Sequence, residues 1–132
     1  MVRIQSTLGY LLANNGRADE AVTLMRQTVA SAETALPSGN PMRAYAESVL
    51  GGALLEDGDP VAAIAPLQQS LDARLASLPA GHPLLVASEC SLLEAQAGTG
   101  TRAAVARMDA LLASAEADLG AEHPIVARCR AR

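Results

Sequence analysis

The chain has no phenylalanine, no tryptophan and no lysine, and only two tyrosines, two cysteines and two histidines. Each shortage excludes something. With aromatics at 2% and alanine and leucine abundant, the composition points to an all-helical fold. All ten basic residues are arginine, the pattern expected of codon bias in a GC-rich bacterial genome. Without lysine, the glycine- and threonine-bearing stretch Gly98-Thr99-Gly100-Thr101 cannot be a phosphate loop and reads as an inter-helix turn. Cys90 and Cys129 lie far apart with no CxxC spacing, so neither a zinc site nor a disulfide framework is expected. They read instead as two free buried thiols in a reducing cytoplasm. No apolar run reaches the length of a membrane span, and Met1-Val2-Arg3-Ile4 does not open a signal peptide. The net charge of −4 argues against nucleic acid or an anionic membrane as partner.

What is present is alanine, 28 residues of it, within a half-apolar chain. That is enough for a core without metals or disulfides, in one domain or one piece of an array. It is also periodic. Leu36-Pro37-Ser38-Gly39-Asn40-Pro41, Leu78-Pro79-Ala80-Gly81-His82-Pro83 and Leu119-Gly120-Ala121-Glu122-His123-Pro124 recur with their last prolines 42 and 41 residues apart. Each follows an amphipathic run and opens another. Proline suits a first helical position because that N–H has no intrahelical partner. Asn40, His82 and His123 stand at the cap before it.

The stripe Ile4, Leu8, Leu11 and Leu12 predicts a helix over 2–14, ended by Asn14-Asn15-Gly16. A second spans about 17–36, with Asp19 and Glu20 in its first turn. Helices follow over 41–56, from Pro60 to about 78, over 83–97 and over about 102–119, and Pro124 opens a further one. Val61, Ile64, Leu67, Leu71, Leu75 and Leu78 share a face of the fourth. A shift of 42 superposes Leu8 on Leu50, Gly9 on Gly51, Gly16 on Gly58, Ala21 on Ala63 and Met25 on Leu67. The chain therefore divides into units at 1–39, 40–81 and 82–122 with a partial unit at 123–132, and is expected to be a piece of a longer protein.

Leu8-Gly9-x-x-Leu12, Gly16, Ala21 and Met25, repeated as Leu50-Gly51-x-x-Leu54, Gly58, Ala63 and Leu67, resembles the tetratricopeptide repeat. Ala63-Ile64-Ala65-Pro66-Leu67 and the His123-Pro124 exit resemble the kinesin light chain type, which implies that Pro66 is a tolerated helix-interior proline. The resemblance implies an all-α right-handed solenoid of about three helix pairs plus a trailing helix. The third unit departs from the pattern, with Gln96 and Leu93 where Leu54 and Gly51 stand in the second.

The chemistry-bearing residues form no catalytic or metal-ligating set: no His, Cys or carboxylate cluster has ligand spacing, and both histidines hold one repeat position. Leu8, Gly9, Leu50, Gly51, Gly58, Pro66, His82, Pro83, His123 and Pro124 are read as structural. The chain is expected to be no enzyme, to need no cofactor and to bind a protein or peptide. The resemblance implies that the first helix of each pair lines a concave groove. Arg3, Ser6, Tyr10, Asn14, Tyr45, Ser48, Glu56, Cys90 and Glu94 are the candidate lining. A regulatory domain sensing a small molecule or signalling peptide is the alternative. The uncapped terminal helices predict a homodimer through exposed apolar faces.

Overall fold

In the computed structural model, residues 2–99 and 102–131 are described. They form seven helices and no strand: α1 (Val2–Asn14), α2 (Ala18–Ala35), α3 (Pro41–Glu56), α4 (Pro60–Ser77), α5 (Pro83–Ala97), α6 (Arg102–Leu119) and α7 (Pro124–Ala131). The helices stack in chain order as antiparallel pairs, and α3 also packs on α1 and α5 on α3. Gly100 and Thr101 of the third inter-helix turn lie outside the described residues.

The local chemistry sets the helix ends. The Asn40 side chain accepts from Met42 N at 2.9 Å, and Asp59 accepts from Ala62 N at 3.2 Å. His82 and His123 do the same through Nδ1, from Leu84 N at 3.1 Å and Ile125 N at 3.2 Å. Each satisfies an orphan donor of the first turn. The junction glycines Gly39, Gly81 and Gly120 have φ of 89°, 82° and 93°, a region other residues rarely enter. Helix α4 runs unbroken through Pro66.

The core is built from small residues set against larger ones. Ala21, Met25, Ala63 and Leu67 are sealed from solvent where the helices of the first two pairs cross. Gly9 admits Met25 and Gly51 admits Leu67: a Cβ at either glycine would collide with that side chain. Ser70 Oγ donates to Ala44 O at 2.9 Å and ties α4 to α3. A second cluster, Val86, Ala115 and Val126, closes the C-terminal end.

Two expectations are corrected. The cysteines are not free thiols: Cys90 and Cys129 form a disulfide, with Cα atoms 5.9 Å apart. Their separation of 39 is nearly one repeat, and stacking places consecutive first helices side by side, so α5 meets α7. With the pair bonded, the thiol argument for a reducing cytoplasm no longer stands. Second, Val61 and Leu75 are exposed, because α4 buries a narrower stripe centred on Ala63, Leu67, Ser70 and Leu71. Leu8 is half-exposed whereas its equivalent Leu50 is buried, because α1 is covered only by α2 and α3; an exposed apolar face on this helix is expected from the sequence.

Candidate functional site

The first helices turn one face each toward a common concavity. Tyr10 and Asn14 come from α1, Tyr45, Ser48 and Glu56 from α3, Ser88 and Ser91 from α5, and Arg128 from α7. They surround a cavity of about 170 Å³. Of the sequence-predicted lining, the structure brings together Tyr10, Asn14, Tyr45, Ser48 and Glu56. It leaves four elsewhere. Arg3 is exposed on α1 outside the cavity. Ser6 is fully buried, and its Oγ has no hydrogen-bond partner among the described residues. Cys90 is bonded to Cys129. Glu94 lines a separate depression with Leu55, Pro60 and Met108.

Two arginines that sequence reasoning missed dominate the charge of the site. Arg74 sits in the last turn of α4, a second helix, and reaches between α3 and α5. Its Nη1 donates to Ser88 Oγ at 2.7 Å and its Nη2 to Ser48 Oγ at 3.5 Å. Both hydroxyls can only accept, since Ser88 Oγ donates to Leu84 O at 2.8 Å and Ser48 Oγ to Tyr45 O at 2.7 Å. Among the described residues no carboxylate pairs with Arg74. Burial draws its guanidinium below the usual arginine range, and the neighbouring Tyr45 opposes that shift. Arg128 lies over the Tyr10 ring, 5.8 Å from its centroid, so the last helix touches the first across the groove.

The missed signal has a physical form. Arg74 stands three residues after the core residue Leu71, inside an apolar stripe, where a long side chain must leave the core by its tip. Arg128 stands beside Cys129, and the disulfide holds α7 where that guanidinium enters the cavity.

The site is thus a concavity between stacked helices with a largely apolar floor, Arg74, Arg128 and Glu56 as its charged groups, and both histidine rings committed to helix caps. No curated protein matches the chain. Among solved structures it is similar to a repeat array attributed to a kinesin light chain of Podosopora anserina, with nearly identical tetratricopeptide-like repeats. The identity is 30% and the TM-score 0.80, over 98% of this chain and 62% of that one. A single-substitution variant of that array gives 29% identity and a TM-score of 0.79, over 98% of this chain and 61% of the variant. The chain therefore spans about three fifths of the length of these structures. Helix pairs that stack through small residues, cap with Asn, Asp or His before proline and superpose on such an array agree with the family profile described as tetratricopeptide repeat, which matches residues 1–76. The chain belongs to the tetratricopeptide repeat family, whose fold is typically a non-enzymatic scaffold for protein partners.

Proposed function

We propose that the chain is a non-catalytic interaction module of a larger regulatory protein, and that its concave groove takes a partner peptide or helix carrying an acidic side chain. The observation that carries this reading is Arg74: a half-buried guanidinium whose hydrogen-bond partners among the described residues are two neutral hydroxyls. A charge withdrawn from water is normally compensated by an opposite one. A carboxylate from a bound segment supplies that charge and forms bidentate bonds with the guanidinium. Arg128 adds a second cation, and Tyr10 and Tyr45 supply flat apolar contact. At about 170 Å³ this concavity falls below the ~300–1,000 Å³ of usual ligand pockets, which weighs against a small molecule as the guest of the groove; the depression around Glu94 and Met108 is larger, about 490 Å³, but holds neither arginine. The groove suits one or two side chains of an extended guest.

Selection from a random peptide library tests this. Acidic peptides should be enriched, and Arg74→Gln should weaken the winners by about tenfold or more, an effect of ~1.4 kcal/mol. Enrichment of basic peptides, or undiminished binding by Arg74→Gln, would refute the reading.

A further inference from the structure

A depression in the second unit plays no part in the groove. It lies over α3, between the α2–α3 junction and α4, has a volume of about 410 Å³ and shares no lining residue with the concavity. Arg43 and Glu47 reach it from α3, Gln69 and Asp72 from α4. The second helices α2 and α4 do not pack against each other, so α3 forms the floor there. Glu47 is the unusual member. It is only 4% exposed, and its carboxylate makes no hydrogen bond and no ion pair among the described residues. The repeat makes the departure plain. One unit earlier the same register position is Gln5, which carries no charge and meets the Thr28 hydroxyl at 3.3 Å. One unit later it is Glu89, which is only partly buried. Ser70 holds the Thr28 position in the second unit, but its hydroxyl donates to Ala44 O at 2.9 Å. Glu47 thus has a charge where Gln5 has none, and lacks the hydroxyl that Gln5 meets. A carboxylate withdrawn from water in this way is normally held by donors or by a cation.

The surroundings select a cation. Arg43 and Glu33 act on Glu47 through their charge, and Asp72 faces it across the depression. Arg43 Nη1 donates to Leu36 O at 3.3 Å, and the guanidinium forms no ion pair with Glu47. Three carboxylates against one guanidinium leave the place negative. Gln68 donates to one Asp72 oxygen at 2.8 Å, and the other oxygen is left for a guest. Among the described residues no group of three His, Cys, Asp or Glu side chains is placed to hold a metal ion. A primary ammonium meets these conditions. It is a compact charge with three donors, enough for Glu47, Asp72 and the side-chain carbonyl of Gln69. Ala73 and Ala76 give its alkyl stem an apolar rest.

We infer that this depression is a binding site for a primary alkylammonium group, held by the Glu47 and Asp72 carboxylates. The group comes either from a lysine side chain of a protein partner or from a free amine. NMR titration of the side-chain carboxyl resonances of the whole chain with n-butylammonium chloride tests this. Tetramethylammonium chloride, which has the charge but no N–H, is the control. Without amine, Glu47 should titrate above the ordinary carboxylate range. n-Butylammonium should move the Glu47 and Asp72 resonances saturably and draw the Glu47 titration down, and tetramethylammonium should do neither. Glu47→Gln should weaken the amine about tenfold with helical circular dichroism preserved, and Arg74→Gln should leave its binding unchanged. In a second arm acetyl-lysine amide replaces n-butylammonium. Tighter binding than that of the free amine assigns the site to a partner's lysine, and weaker binding assigns it to a free amine. An ordinary Glu47 titration without amine overturns the inference, because Arg43 would then already neutralise the carboxylate. So do equal responses to the two cations, or undiminished n-butylammonium binding by Glu47→Gln.

Discussion

Gly51 and Gly52 are neighbours in α3 with opposite surroundings. A Cβ on Gly51 would strike the branch point of Leu67, itself sealed in the core, whereas a Cβ on Gly52 would meet nothing. Gly51→Ala should therefore destabilise by about 1–3 kcal/mol through overpacking. Gly52→Ala should stabilise by about 0.5–1 kcal/mol, because glycine costs helix entropy that alanine does not. Chemical denaturation of both variants checks the pair, and equal changes would contradict the packing described. Glu47 provides a pH-dependent counterpart. It is buried in α3, and burial raises its carboxyl above the usual range; Arg43 opposes the shift and Glu33 adds to it. A raised carboxyl means the folded chain holds the proton more tightly than the unfolded chain. The penalty of the charged form is complete above the folded value and is relieved as pH falls through the acid range. Glu47→Gln should thus raise the melting temperature at about pH 7, with the gain shrinking toward about pH 4. A gain that grows on acidification would reverse the assignment.

At the scale of the helix, the caps make a sharper test than the stripes. Asn40 and His82 hold equivalent positions and accept from equivalent amides, at 2.9 Å and 3.1 Å. His82→Asn should leave stability unchanged or raise it, and Asn40→Ala should lower it by about 1 kcal/mol. Thermal melts compare them directly; a loss on His82→Asn would mean the ring does more than cap. These elements were legible in the sequence because their punctuation is local. Pro41, Pro60, Pro83 and Pro124 open helices where the junctions place them, and Gly39, Gly81 and Gly120 turn the chain before them. The site was legible only in part. Tyr10, Tyr45, Ser48 and Glu56 fall on first-helix faces that periodicity reveals. Arg74 enters from a second helix by the length of its side chain, and periodicity is blind to reach. The disulfide was missed because spacing was judged along the chain, whereas in a stack the residue one repeat away is a neighbour.

For the whole molecule, the disulfide sets how α7 is held. The helix is only 8 residues long, too short to persist alone in water, and it rests on α5 and α6. The bond closes a loop whose ends are 39 residues apart, a constraint on the unfolded chain of about 4 kcal/mol in the loop-entropy account. Reduction should lower the melting temperature and weaken binding of an acidic peptide, because α7 carries Arg128. Melts and titrations with and without dithiothreitol check both, and unchanged affinity after reduction would remove Arg128 from the site. The shortage of aromatics then has a practical side. The chain has no tryptophan, and its two tyrosines, Tyr10 and Tyr45, both line the concavity. The intrinsic fluorescence of the protein therefore comes from the groove alone, with no background from the rest of the fold, and a guest that lifts Arg128 off Tyr10 reports its own arrival as a change in emission, without a label.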